Sequence, residues 1–247
     1  MLQIDVSFLP ISNFVNSNFS KENTIVIAID VLRATTTIVT ALEYGVASII
    51  PVTTVEEALE LYENSYHNST RLGGERNNIK PPKFHFGNSP FEYQNKEVSN
   101  KKVIFTTTNG TKLLNTLLNF DKIYLGCYRN IESLVHHIFI QGSNKTNILV
   151  ACAGSNDKFS FDDVLCAGAF VDAFQSISSA NIQLTDTAKV AKMLYNQTQN
   201  TIRDFVKSTS HGASLVSSGF EKDVDFCFSK NTSNIIAVYE QNIVKSL

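Results

Sequence analysis

From residue 24 to residue 174 the chain repeats one beat: a short β-branched apolar run, a turn, then a helical stretch. TIVIAID (24–30) precedes TTTIVTALEYG (35–45), and ASIIPVT (47–53) precedes VEEALELYENSY (55–66). The beat returns where KKVIFTTT (101–108) leads to GTKLLNTLLN (110–119), KIYLGCY (122–128) to IESLVHHIFIQG (131–142), and TNILVACAG (146–154) to FDDVLCAGAFVDAF (161–174). Helices between successive strands impose crossover connections, so the strands pair in parallel and helices cover both faces of the sheet. The pattern predicts an α/β protein, a three-layer α/β/α fold with a mostly parallel sheet. After about residue 185 the chain turns mostly helical, with DTAKVAKMLYNQT (186–198) and IRDFVKSTSHGASLVSSG (202–219), before a late apolar strand, NIIAVYE (234–240), that can rejoin the sheet. The expected organisation is one domain over 1–247 with a helical C-terminal subdomain at about 185–247, and SSANIQ (178–183) marks a change of local architecture, not a linker.

With 247 residues, 43% of them hydrophobic, the chain can bury a sizeable core. A formal net charge of -2 and the lack of a basic tract argue against nucleic acid or an anionic membrane as partner, which leaves a small molecule as the expected ligand. MLQIDVSFLP at the start is too short and too interrupted for a signal peptide, and no apolar run nears the roughly 20 residues that span a bilayer, so a cytoplasmic location is expected. Cys127, Cys152, Cys166 and Cys227 show no CxxC spacing and mostly sit among apolar neighbours, the pattern of core residues and not of disulfides or zinc ligands. LGGERNNIKPPKFHFGNSP (72–90) is punctuated by Gly and Pro without a usable period; a loop of that length in a compact domain is commonly functional, and it carries Glu75, Arg76 and Asn88.

In a parallel sheet, ligands bind beyond the carboxyl ends of the strands, where helix N-termini offer positive potential. The residues at those ends are Asp30, Arg33 and Thr35 to Thr37; Thr106 to Gly110; Cys127 to Asn130; Cys152 to Gly154; and Asp162 with Asp163. Helix capping accounts for one polar residue in IDVLRATTT but not for four, which favours a functional reading. In FTTTNGTK (105–112), the Asn109-Gly110 turn can cradle an oxyanion or can be an ordinary strand-to-helix turn. The paired carboxylates of FSFDDVLCAGAF (159–170) either cap a helix or offer the hard oxygen ligands that Mg²⁺ requires. His136 and His137 read as structural, His67 and His85 have no evident partner, and the Ser-His-Gly of SHGASL (210–215) either brings His211 to the site or ends a helix. No GxxxxGK[ST] motif and no GxGxxG after a strand is present. The second aspartate of a haloacid-dehalogenase-like phosphatase would fall at Leu32.

Taken in order, IDVLRATTTIVTAL, LGGER, FGNSP, TTTNGTK, CAG with FSFDDVLCAG, and SHGASL resemble the 2-phosphosulfolactate phosphatase family, over residues 26 to 215. That resemblance implies a Mg²⁺-dependent hydrolase of 2-phospho-3-sulfolactate, acting in coenzyme M synthesis on a small anionic phosphorylated substrate. It implies a site lined by Asp30, Arg33, Glu75, Asn109, Asp162 and Asp163. Mg²⁺ is expected at Asp30, Glu75 and one or both of Asp162 and Asp163; catalysis at Asp30, Arg33, Asn109 and Asp163; and substrate contacts at Arg33, Thr35, Thr36, Arg76, Asn88, Thr108, Asn109, Gly110 and His211. Whether Asp30 attacks phosphorus or binds metal stays open, and a homo-oligomer is compatible with the chain. Another phosphorylated hydroxy acid is an alternative substrate. A non-catalytic receptor for an anionic metabolite is an alternative function, against which the paired carboxylates argue, because an anion receptor gains nothing from like charges without a cation.

Overall fold

The computed structural model describes residues 2–10, 19–141, 147–177 and 182–247. Its strands, in chain order, are β1 (Gln3–Ser7), β2 (Thr24–Ile29), β3 (Ser48–Pro51), β4 (Thr70–Gly74), β5 (Lys102–Thr106), β6 (Lys122–Gly126), β7 (Asn147–Cys152), β8 (Gln183–Leu184), β9 (Ala237–Glu240) and β10 (Ile243–Ser246). The α-helices are α1 (Ala34–Glu43), α2 (Val55–Glu63), α3 (Gly110–Thr116), α4 (Ile131–Gln141), α5 (Phe161–Ile177), α6 (Asp186–Thr198), α7 (Ile202–Ser208), α8 (Ser210–Ser217) and α9 (Glu221–Cys227). The ten strands form one mostly parallel sheet, in the order β4-β5-β3-β10-β9-β6-β2-β7-β1-β8, within a three-layer α/β/α arrangement. β2 is buried at every position, which is why TIVIAI reads as a continuous apolar run instead of an alternating one.

The sheet consists of two parallel blocks. β8, β1, β7, β2 and β6 pair in parallel on one side, and β3, β5 and β4 on the other. Between them the β9–β10 hairpin is antiparallel to β6 at one flank and to β3 at the other. Three reversals of direction separate the blocks, so their strands run in opposite senses. Asp30 follows β2 in one block, yet it lies against Gly110, just beyond β5 in the other. The carboxyl ends of the two blocks therefore meet, and the polar residues expected along one sheet edge come from two opposed edges.

The helical stretch expected over 202–219 is two helices, α7 and α8, broken at Thr209, next to the Ser-His-Gly that could end a helix; the Thr209 hydroxyl accepts a hydrogen bond from the Gly212 amide and caps α8. β1, β4, β8, α9 and β10 extend the expected set. The break expected at 178–183 lies mostly outside the described residues. The small residues of α5 serve helix packing: a Cβ on Gly168 would fall 2.2 Å from the Ala191 carbonyl oxygen of α6. All four cysteines are buried as free thiols. Among the described residues no helix is long and apolar enough to cross a membrane.

Candidate active site

Between Ile29 and Ala34 the chain turns from β2 into α1. Threonine hydroxyls hold that turn: Thr35 Oγ1 donates to the Asp30 carbonyl (2.9 Å), Thr36 Oγ1 to that of Val31 (2.9 Å) and Thr37 Oγ1 to that of Asn88 (2.8 Å). Thr35 and Thr36, expected to contact substrate, do not line the cavity. Both are buried with their hydroxyls spent on backbone, and both shape the loop that presents Asp30 and Arg33. Asp30 Oδ1 accepts from the Ala34 amide at 3.2 Å. Arg33, only 2% exposed, donates from Nη1 to Asp223 Oδ2 of α9 at 2.6 Å, and its guanidinium lies 4.0 Å from the Phe220 ring centroid. That bond is the only one its side chain donates among the described residues, leaving Nε and Nη2 without a protein acceptor.

The other block supplies Glu75, just after β4. Its Oε1 accepts from the Thr108 amide (2.7 Å), and its Oε2 from the Asn78 amide (2.8 Å) and the Thr108 hydroxyl (3.2 Å). Arg76 points elsewhere, donating to the carbonyls of Glu75 and Thr53 and to Thr106 Oγ1, so the expected anion clamp is a strut between loops. Burial lowers its pKa, against the charges of Glu75 and Glu56. Asn109 stands at the N-terminal boundary of α3 without a side-chain capping bond, and its Oδ1 accepts instead from the Asn156 amide at 3.2 Å. Gly110 supplies close approach and no cradle: a Cβ there would lie 2.7 Å from Asp30 Oδ2 and 2.6 Å from the Ala34 Cβ.

Asp162 and Asp163 open α5 and diverge. Asp163 accepts the Val31 amide on Oδ1 (2.8 Å) and the Gly154 amide on Oδ2 (2.9 Å), so it ties the ends of β2 and β7 together from below. The carboxylate expected to act in catalysis or bind metal is thus engaged by two backbone amides and lies outside the cavity lining. Burial, with the charges of Asp162 and Asp30, pushes its pKa well up. Asp162 accepts from Ser160 Oγ on Oδ1 and faces His211 Nδ1 with Oδ2 at 3.2 Å. Burial alone would raise its pKa, but the charge and hydrogen bond of His211 and the bond from Ser160 hold it below the usual carboxylate range. His211 moves the opposite way: burial works against its proton, and Asp162 outweighs that.

A cavity of about 680 Å³ opens where these pieces meet. Asp30, Arg33, Glu75 and His211 line it, as do Asn88, Thr108 and Asn109, whereas Thr35, Thr36, Arg76, Gly110, Asp162 and Asp163 do not. Burial, reinforced by Asp162 and Glu75 against the opposing charge of His211, pushes Asp30 up to about 7. Among the described residues no three His, Cys, Asp or Glu side chains are arranged to hold a metal ion, so the expected carboxylate cage is not formed. What fits is smaller. Mg²⁺ needs only one or two carboxylates when water and phosphate oxygens complete its shell, and crowding by like charges makes a cation welcome beside Asp30.

Sequence reasoning overlooked Asp223, the counter-charge of Arg33, because it lies 190 residues away in a helix with no motif. It also overlooked two small turns at the cavity mouth. Arg76 pairs with Ile79 around Asn77 and Asn78, and Ser155 with Lys158 around Asn156 and Asp157, all four central residues having positive φ. Consecutive Asn/Asp residues were the available signal, since they tolerate that backbone.

An α/β protein with a cleft that gathers a buried guanidinium, an imidazole and two carboxylates at strand ends and loops has the build of an enzyme for anionic small molecules. The sequence profile described as 2-phosphosulpholactate phosphatase matches residues 12–242, and the chain belongs to that family. It is 38% identical to a protein of Caldanaerobacter subterraneus subsp. tengcongensis over 234 residues, 95% of each chain. It is 40% identical to one of Thermotoga petrophila over 201 residues (81% of this chain, 82% of the other) and 35% to one of Clostridium beijerinckii over 218 residues (88% and 90%). All three are named probable 2-phosphosulfolactate phosphatase.

Proposed function

We propose that this protein hydrolyses the phosphate monoester of 2-phospho-3-sulfolactate to 3-sulfolactate and phosphate, with Mg²⁺ as cofactor. The observation that carries this reading is the meeting of Asp30, Arg33, Glu75 and His211 around one cavity, in a chain of this family. Phosphoryl transfer asks for positioning and charge stabilisation above all. Arg33 has two nitrogens, Nε and Nη2, to spare and is held by Asp223 and Phe220, which suits a bidentate hold on an oxyanion. His211, whose hold on a proton Asp162 strengthens, adds an imidazole to the cavity wall that can donate to an oxyanion. The pKa of Asp30 sits near neutrality only while no cation answers its charge, so its ionised carboxylate is a group that a cation beside the phosphoryl group would favour. Asp30 and Glu75 are the residues that would hold Mg²⁺. When bound there, the ion neutralises phosphoryl oxygens and lowers the pKa of Asp30.

Purified protein should release phosphate from 2-phospho-3-sulfolactate, lose that activity in EDTA and regain it with Mg²⁺. In a panel of other phosphorylated 2-hydroxy acids it should be slower. Asp30→Asn should reduce release by about 100-fold or more at an unchanged melting temperature. Wild-type rates from that variant would reject the assignment.

A further inference from the structure

One side chain in the cavity wall is held on both sides yet left bare at its tip. Asn88 is 6% exposed. Its backbone carbonyl accepts from Thr37 Oγ1 at 2.8 Å, and the next residue, Ser89, donates its hydroxyl to Asp223 Oδ1 at 3.0 Å, on the carboxylate that also receives Arg33. The loop is therefore tied to α1 and to α9. The amide is not: Oδ1 is buried with no hydrogen-bond partner, and among the described residues nothing accepts from Nδ2. Leaving a buried polar group unpaired is costly, and in a pre-shaped cavity it points to a ligand that completes it.

The chemistry of that ligand follows from the two ends of an amide. Oδ1 requires a donor and Nδ2 an acceptor. A fully ionised phosphate monoester of a hydroxy acid has acceptors only. Hydrolysis changes this: the bond between phosphorus and the ester oxygen breaks, water supplies a hydroxyl to phosphorus and a proton to the ester oxygen, and the organic product carries a new O–H next to a carboxylate. We infer that Asn88 is the residue that reads the 2-hydroxy acid, accepting the product's hydroxyl proton on Oδ1 and donating Nδ2 to its carboxylate or sulfonate. Product binding thus satisfies an amide that the phosphorylated substrate satisfies only by half. This assignment rests on the proposed hydrolysis and adds to it a basis for choosing hydroxy acids and for retaining the product.

Calorimetric titration of the wild-type protein with 3-sulfolactate and with 3-sulfopropanoate, which lacks only the hydroxyl, tests it without turnover. Sulfolactate should bind about tenfold more tightly, the worth of one net hydrogen bond. Asn88→Ala, or Asn88→Ser where Ala does not fold, should abolish that preference while 3-sulfopropanoate loses at most a few-fold. Equal affinity of the wild type for the two compounds overturns the role of Asn88 and leaves the phosphatase reading intact if phosphate is still released from the substrate. A preference that survives in the variant overturns it likewise. No binding of either compound, with no phosphate release, overturns both.

Discussion

At the residue scale, four buried carboxylates of similar appearance in the sequence are set apart by what answers their charge. Asp163 is answered by two backbone amides, Glu75 by two amides and a hydroxyl, and Asp162 by an imidazole and a serine, while Asp30 receives one amide and faces the cavity. Only the last arrangement leaves an oxygen with no protein donor, although Glu75, whose two oxygens both accept from the protein, faces the cavity beside it. The Asp162–His211 pair also makes stability depend on pH in a definite direction. The pKa of His211 is raised above its ordinary 6.5, so its contribution is complete below pH 6.5 and is lost as pH rises through the folded value. Asp162 lies below its ordinary 3.8, so its contribution is present above pH 3.8 and is lost as pH falls through the folded value. Denaturant unfolding should therefore show the wild type about 2 kcal/mol more stable than His211→Asn between these limits, with the gap closing under alkaline conditions. A gap that widens with alkalinity would contradict the pairing. That Asp30 and Arg33 belong to a site was legible in IDVLRATTT, because capping could not account for so many polar groups. That the threonines and Arg76 only support it was not, because a hydroxyl or guanidinium shows its partner only once distant backbone is in place.

At the scale of elements, legibility followed the strength of the local period. Helix α6 falls on the residues its pattern marked, 186–198, with Thr185 as N-cap. β4 was hidden in LGGER, where two glycines erase both alternation and β propensity; what makes it a strand is pairing with β5, and Gly73 leaves room for the Tyr93 hydroxyl, 2.1 Å from where a Cβ would stand. The hairpin joining β9 to β10 is another product of local chemistry. Glu240 pairs with Ile243, and the two residues between, Gln241 and Asn242, have φ of 51° and 62°. Positive φ at both central positions defines a turn that prefers Asn-Gly. The double replacement Gln241→Asn with Asn242→Gly should raise unfolding free energy by about 1 kcal/mol, since an L residue in the left-handed region costs roughly that much. A loss of stability would show that these side chains have contacts beyond the turn.

At the scale of the whole molecule, the site depends on how two parallel blocks are joined. Asp30 and Arg33 come from one block, Glu75 and Thr108 from the other, and His211 and Asp223 from the C-terminal helices. β10 lies in mid-sheet, where Val244, fully buried, pairs with Tyr239 on one side and Ile49 on the other. A charge at that position would be left in the core without a partner. Val244→Asp should accordingly lower stability by more than about 3 kcal/mol and abolish phosphate release, read by thermal melting and by assay of the soluble fraction. Full activity in that variant would mean that the two blocks need no central strand to hold the cavity together. The sequence alone settled the α/β class, the alternation of strands and helices, and the identity of the polar residues at strand tips, because periodicity and turn chemistry act over a few residues. Only tertiary structure decided that a late hairpin divides the sheet into opposed halves, that Asp223 neutralises Arg33, and which carboxylates face the cavity. Those outcomes turn on contacts between residues far apart in the chain, and no local pattern encodes where such partners will meet.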